Sequence, residues 1–120
     1  MPNRILMGEI YFVLLDPTVG REMGGGYPRP VIVVSLKWVH QKTGVVMVVP
    51  GTGTAAPYRN VVQIDPTPAN GLSKVTYFAC HQSRAIDESR FISPAIGRAS
   101  SLDLEKVQQT LWELLGWIGQ

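Results

Sequence analysis

The chain has 120 residues, of which 45% are hydrophobic and 17% charged, with a net charge of +2. That is the length of one domain, expected to span residues 1–120. It can bury roughly 65% of its extended surface, so an intrinsically disordered chain is excluded. Cys80 is the only cysteine, which rules out an internal disulfide and fits the reducing cytoplasm, the expected location.

The N-terminus has no long apolar run after Arg4, so no signal peptide is expected. No apolar stretch approaches the ~18 residues of a membrane span. A small positive total does not by itself identify a nucleic-acid partner. Its distribution says more: the cationic excess lies in the first half, at Arg21, Arg29, Lys37, Lys42 and Arg59.

Taken in order, Met7 to Leu15 reads as a first strand with both faces largely covered. Asp16-Pro17-Thr18-Val19-Gly20 is a turn signal, and a polar loop follows to Pro28. A second strand is expected from Val31 to Ser35. Its β-branched run, Val31-Ile32-Val33-Val34, suits burial on both faces, and Pro30, having no donor, should precede the ladder.

Residues 37–43 form a connection with at most a short helical turn, ended by Gly44. Strand three is Val45 to Val49, stopped by Pro50, and residues 51–57 form an irregular loop. Strand four is Val61 to Ile64 and strand five Val75 to Cys80. Short strands are expected at 83–86 and 95–98. The last segment changes period. Leu104, Val107, Leu111, Leu114, Leu115 and Ile118 make one apolar stripe on a helix from about Leu102 to Trp117, capped by Ser100 or Ser101. Short strands with turn signals and one terminal helix predict a mainly β fold, a small antiparallel barrel with a C-terminal helix.

No metal site is predicted, because His40, His81 and Cys80 show no ligand spacing. The Gly24–Gly26 and Gly51–Thr54 stretches are neither dinucleotide fingerprint nor P-loop, and no Gly-x-Ser-x-Gly elbow occurs. What remains is a set at strand ends: Arg29 before strand two, Thr52 after strand three, His81 and Gln82 after strand five. Gathered on one rim, these give a cation for phosphate oxygens, a hydroxyl and a group titrating near neutrality. Metal-free RNA cleavage needs such parts. The 2′-hydroxyl loses a proton, the phosphorane's charge is met, and the 5′-oxygen gains a proton. Arg suits the second task because its fork pairs with phosphate. Each residue also has a plain structural reading. Arg29 can cap a strand, Gly24–Gly26 can be a hairpin, Thr52 a turn residue, His81 a solvated histidine. Cys80 reads as core, His40 as surface, and Trp112 and Trp117 as helix packing.

The order of these segments resembles the MazF/PemK family of toxin endoribonucleases, in the CcdB/PemK-like superfamily. The matching pieces are Gly8-Glu9-Ile10-Tyr11, Leu15-Asp16-Pro17-Thr18-Val19-Gly20, Glu22, Arg29 through Ser35 and Val48-Val49-Pro50. Further pieces are Gly71-Leu72-Ser73-Lys74, Gln82-Ser83-Arg84-Ala85-Ile86-Asp87, Ile96-Gly97-Arg98 and Leu102 through Val107. The resemblance implies an SH3-like barrel, a homodimer, and a MazE/PemI-like antitoxin partner. It also implies sequence-specific, metal- and cofactor-free cleavage of single-stranded mRNA through a 2′,3′-cyclic phosphate.

On that resemblance the catalytic arginine falls on Arg29 and the catalytic threonine on Thr52, with Thr54 as a register alternative. Glu22 matches an acidic residue of the active-site loop. Tyr27, Thr54, Gln82 and Arg84 are the candidate RNA contacts. Three departures stand out: His81 where the family often has an acidic residue, Ala79 where some members have arginine, and a slightly longer loop before Arg29. They leave open whether His81 transfers protons or only contacts RNA. Two other functions compete. One is a CcdB-type gyrase-poisoning protein, which the tail Trp117-Ile118-Gly119 resembles; the other is an RNA-binding module that has lost catalysis.

Overall fold

The computed structural model describes residues 4–56 and 58–117. Seven strands form one curled antiparallel sheet: β1 (Glu9–Val13), β2 (Arg29–Val33), β3 (Val45–Thr52), β4 (Val61–Ile64), β5 (Thr76–Ala79), β6 (Arg84–Asp87) and β7 (Gly97–Arg98). Helix α1 (Lys37–Thr43) joins β2 to β3, and α2 (Ser101–Leu114) closes the chain. The order across the sheet is β4-β5-β3-β2-β1-β7, with β6 also on β3. This is the expected mainly β, barrel-like fold with a C-terminal helix.

Strand β3 serves two partners. Its first half pairs β6 from Val45↔Asp87 to Val48↔Arg84, and its end pairs β5 at Gly51↔Phe78 and Thr52↔Tyr77. Pro50 falls in the gap between those partners, where no rung needs its missing donor. Proline therefore does not stop the strand, which continues to Thr52, beyond the expected end at Val49. The same reasoning corrects the start of β2. Arg29 and Pro30 pair with Val13 and Phe12 of β1, while the β2–β3 ladder ends at Val31↔Pro50. Pro30 lies one residue past that end, where a ring nitrogen leaves no rung unmade.

The β2 run is covered on both faces, as its composition predicts. Val31 and Val33 belong to one core cluster with Tyr11, Val13, Val46, Val48, Ile86 and Phe91. Ile32 belongs to the other, with Ile10, Val49, Val62, Phe78, Cys80 and Val107. Strand β1 is less covered than expected, because Phe12 remains 42% exposed beside the site described below.

Helix α1 is a full seven-residue helix ended by Gly44 at φ 73°. It brings His40 inside. The expectation of a surface histidine fails, because both ring nitrogens find buried partners. Nδ1 lies 3.1 Å from the Ile5 carbonyl and so donates to it. Nε2, 2.7 Å away from Ser35 Oγ, is left to accept from that hydroxyl. Ser35 Oγ in turn accepts from Met47 N. A buried imidazole so satisfied costs little.

In α2 the Ser100 side chain accepts from Asp103 N, as a cap should. Leu104, Val107 and Leu111 pack on the core, but Leu114 and Leu115 do not, and Leu115 is 82% exposed. The helix outruns the sheet, so its apolar stripe is longer than the surface it covers. Trp112 and Trp117 are half exposed and meet edge to face at 4.8 Å rather than entering the core. Ile118 and Gly119 of the tail motif lie outside the described residues.

Candidate nucleic-acid interface

Where the β2–β3 ladder ends, the two strands part and a groove of about 420 Å³ opens. Arg29 and Thr52 both line it, with Phe12, Tyr27, Thr54, Ser73 and Lys74 among its other walls. Their opposition follows from the register. Continuing the pairing of Val31↔Pro50 by two residues sets Arg29 of β2 across from Thr52 of β3, on the same face of the sheet. Of the strand-end residues expected on one rim, Arg29 and Thr52 line this groove, and His81 and Gln82 do not.

The Arg29 guanidinium is held from behind. Its Nε donates to the Gly24 carbonyl, and Nη2 donates to the Tyr27 hydroxyl at 3.0 Å. The cation also lies 4.9 Å from the centre of the Tyr27 ring. Its terminal nitrogens keep further N–H groups for a ligand, in a fork that fits phosphate. Thr52 Oγ1 accepts from Thr54 N at 3.2 Å, which leaves its own proton to donate into the groove. Thr54 itself is exposed on the groove's wall.

The loop that carries Gly24 is built by side chains from several elements. Asp16 Oδ2 accepts from Gly26 N at 2.7 Å, and Oδ1 accepts from the Thr18 hydroxyl. The Gly26 hydrogen bond, more than that from Thr18, holds the Asp16 carboxyl below its usual value. A Cβ on Gly24 would sit 2.6 Å from Asp16 Oδ1 and 2.7 Å from Thr18 Oγ1, so any larger residue would displace the side chains that brace the loop. Glu22 does not line the groove; its Oε1 accepts from Val19 N within the loop. Gln82 grips the same loop at both ends of its amide, accepting from Met23 N and donating to Arg21 O, each at 2.9 Å. Arg84 donates to the Leu15 carbonyl, and Arg90 to those of Leu14 and Asp16.

The structure therefore divides the sequence candidates. Arg29, Thr52, Tyr27 and Thr54 come together at the groove, while Glu22, Gln82 and Arg84 are engaged in shaping the loop beside it. His81 sits in the 3₁₀ turn Cys80–Gln82, away from the groove lining, and its Nδ1 is bonded to the Asn60 amide. Asp16 reads from sequence only as part of a turn and a matching segment, and Ser73 and Lys74 only as part of a matching segment, none of them with a role in the site. Lys74 is a second cation in the groove, and only the fold shows that the β4–β5 loop passes there. Buried Cys80 faces the Val107 carbonyl, and burial pushes its thiol up to about 12, so it is core as expected.

Comparison with known proteins fits this geometry. Residues 7–115 match the family described as PemK-like, MazF-like toxin of type II toxin-antitoxin system. The chain belongs to that toxin family. MazF from Deinococcus radiodurans has the same fold, with a TM-score of 0.80 at 26% identity over 93% of this chain and 96% of that one. The Mycobacterium tuberculosis toxin MazF-mt6 superposes with a TM-score of 0.74 at 19% identity, covering 92% of this chain and 99% of its own. An endoribonuclease in complex with its cognate antitoxin, from a mycobacterial species, gives 0.75 at 19% identity, covering 97% and 99%. No curated protein matches the chain at a significant level. What this PemK/MazF-like toxin domain shares with those structures is the fold, a curled sheet with a C-terminal helix. The groove at the β2–β3 splay is where this member's own side chains converge.

Proposed function

We propose that the protein is the toxin of a toxin–antitoxin pair and a sequence-specific, metal-independent endoribonuclease that cuts single-stranded mRNA through a 2′,3′-cyclic phosphate. The observation that carries this reading is the opposition of Arg29 and Thr52 across one groove. A phosphodiester seated there meets the guanidinium fork on one side and the threonine hydroxyl on the other. Charge on the phosphorane is then met by donors that are already in place, which is the largest single contribution such a site can make. Lys74 adds a second positive charge on the opposite wall, where it neutralises a neighbouring phosphate. Tyr27, 54% exposed, offers a ring face on which an unpaired base can stack.

Proton transfer falls to groups at the groove's margin. Glu22 rides on the loop tied to Arg29 through Gly24; with one carboxylate oxygen bonded to Val19 N, the other is left to take the 2′-hydroxyl proton. His81, further off and bonded to Asn60, acts as an RNA contact at the periphery. Gln82 and Arg84 serve RNA indirectly, by fixing the loop that orients Arg29.

The partners follow from the same reading: a MazE/PemI-like antitoxin whose acidic segment covers the cationic groove, and a second copy of the chain. Trp112, Leu115 and Trp117 supply exposed apolar surface for the homodimer. One observation favours a second reading, an RNA-binding module without catalysis: neither Glu22 nor His81 lines the groove. Incubating the protein with a long RNA in EDTA and mapping the 5′ ends separates them. Discrete cuts at a recurring sequence, lost in Arg29→Ala, support the nuclease; tight binding with intact RNA refutes it. Neither binding nor cutting would leave a protein-directed toxin of the CcdB type.

A further inference from the structure

The register that opposes Arg29 and Thr52 continues beyond them. Thr52 pairs with Tyr77 of β5, and Tyr77 pairs with Gln63 of β4. Thr52, Tyr77 and Gln63 are therefore linked by pairing, and their side chains share one face, the face the β2–β3 register gives to Arg29 beyond the ladder's end at Val31↔Pro50. The alternate residues Phe78 and Val62 point into the core, which turns Tyr77 and Gln63 outward. Tyr77 is partly exposed and Gln63 exposed, both outside the lining of the Arg29–Thr52 groove itself. Strands lie roughly 4.8 Å apart, so Tyr77 is about one strand and Gln63 about two strands from Thr52.

We infer that Tyr77 and Gln63 form a base-reading step for the nucleotide adjoining the scissile phosphodiester, an inference that rests on the nuclease reading above. The chemistry of the two side chains matches that task. The Tyr77 ring gives a stacking surface beside the phosphate grip, and a base in single-stranded RNA is free to lie on it. The Gln63 amide is oriented by Asp65, whose Oδ1 accepts from Nε2 at 3.2 Å. That bond uses one amide hydrogen and leaves a carbonyl acceptor and a second N–H donor side by side. A paired donor and acceptor is what a base edge requires for two simultaneous hydrogen bonds, with adenine the best match. Tyr77 thus supplies affinity without sequence preference, and Gln63 supplies the preference.

The test is the cut-site profile of the full chain on one long, defined RNA, read from mapped 5′ ends, with wild type alongside. Gln63→Glu replaces the donor with a second acceptor on an exposed position and leaves the fold intact. It is expected to change the preferred base at one position adjoining the cut, with other positions unchanged. Tyr77→Leu is expected to raise KM roughly 5- to 150-fold through loss of stacking, with kcat held within about threefold, while Tyr77→Phe matches wild type. Circular dichroism melts of each variant exclude unfolding as the cause. An unaltered profile in Gln63→Glu, or a Tyr77→Leu KM within about twofold of wild type, overturns the base step and leaves the nuclease standing. If wild type cuts nothing, the nuclease reading fails and this step fails with it.

Discussion

Replacing Arg29 by lysine keeps the positive charge but removes the fork. In the folded protein Nε and Nη2 hold Gly24 O and the Tyr27 hydroxyl, while the outer N–H groups are left for phosphate. A lysine ammonium is a single point and cannot grip the loop and a phosphate at separate positions. Losing one well-aimed donor to a developing oxyanion typically costs about a hundredfold in kcat, or ~2.7 kcal/mol. The folded state also loses about 1 kcal/mol from the broken loop contact, a drop of roughly 4 °C in Tm. The measurement is single-turnover cleavage of a short RNA carrying one mapped site, in EDTA, with KM and its salt slope determined in parallel. Arg29→Lys should lower kcat about a hundredfold and leave the salt dependence nearly unchanged, because the charge count is the same. A kcat within threefold of wild type would show that the guanidinium geometry does not matter, and the site as drawn would be wrong.

Other outcomes can be checked alongside. Gln82→Met removes both bonds to the Arg21–Met23 segment with little change in volume. It should speed amide exchange at Met23 and cost about 1–2 kcal/mol, whereas unaltered exchange would mean that Gln82 does not hold the loop. The Asp16 carboxyl titrates below its ordinary value of 3.8 because Gly26 N donates to it. The stabilisation it gives is therefore complete above that value and fades as pH falls through the lower folded one. Amide exchange at Gly26, corrected for intrinsic pH dependence, should rise only in that acid range, and Asp16→Asn should abolish the step. Cys80, buried and with its thiol pushed up to about 12, should resist alkylation at neutral pH in the native state and react once denatured. Ser100→Ala should cost about 1 kcal/mol through the lost cap on α2; an unchanged melt would count against it.

Local chemistry made much of the fold readable. The β-branched run 31–34 announced a doubly covered strand, Gly44 the end of a connection that proves to be a full helix, and Ser100 or Ser101 the start of α2, where Ser100 is the cap. The prolines misled, because whether a strand tolerates one depends on which neighbour pairs at that rung. His40 was misread for a similar reason: its partners, Ser35 Oγ and the Ile5 carbonyl, come from other segments. In the site, Arg29 and Thr52 stood out by residue type and family likeness. Lys74 and the loop-holding work of Gln82, Arg84 and Asp16 did not, since polar side chains look alike in sequence whether they face a ligand or a backbone carbonyl.

The amino-acid order alone determined that this chain makes a short-stranded β domain with a final helix and a cation poised at a strand mouth. Those features depend on neighbours a few residues apart, through backbone preference and side-chain periodicity. Only the tertiary structure decided which side chains meet, because that depends on strand register. A pairing that sets residue 31 against residue 50 also sets 29 against 52, and no local property of either segment encodes that alignment.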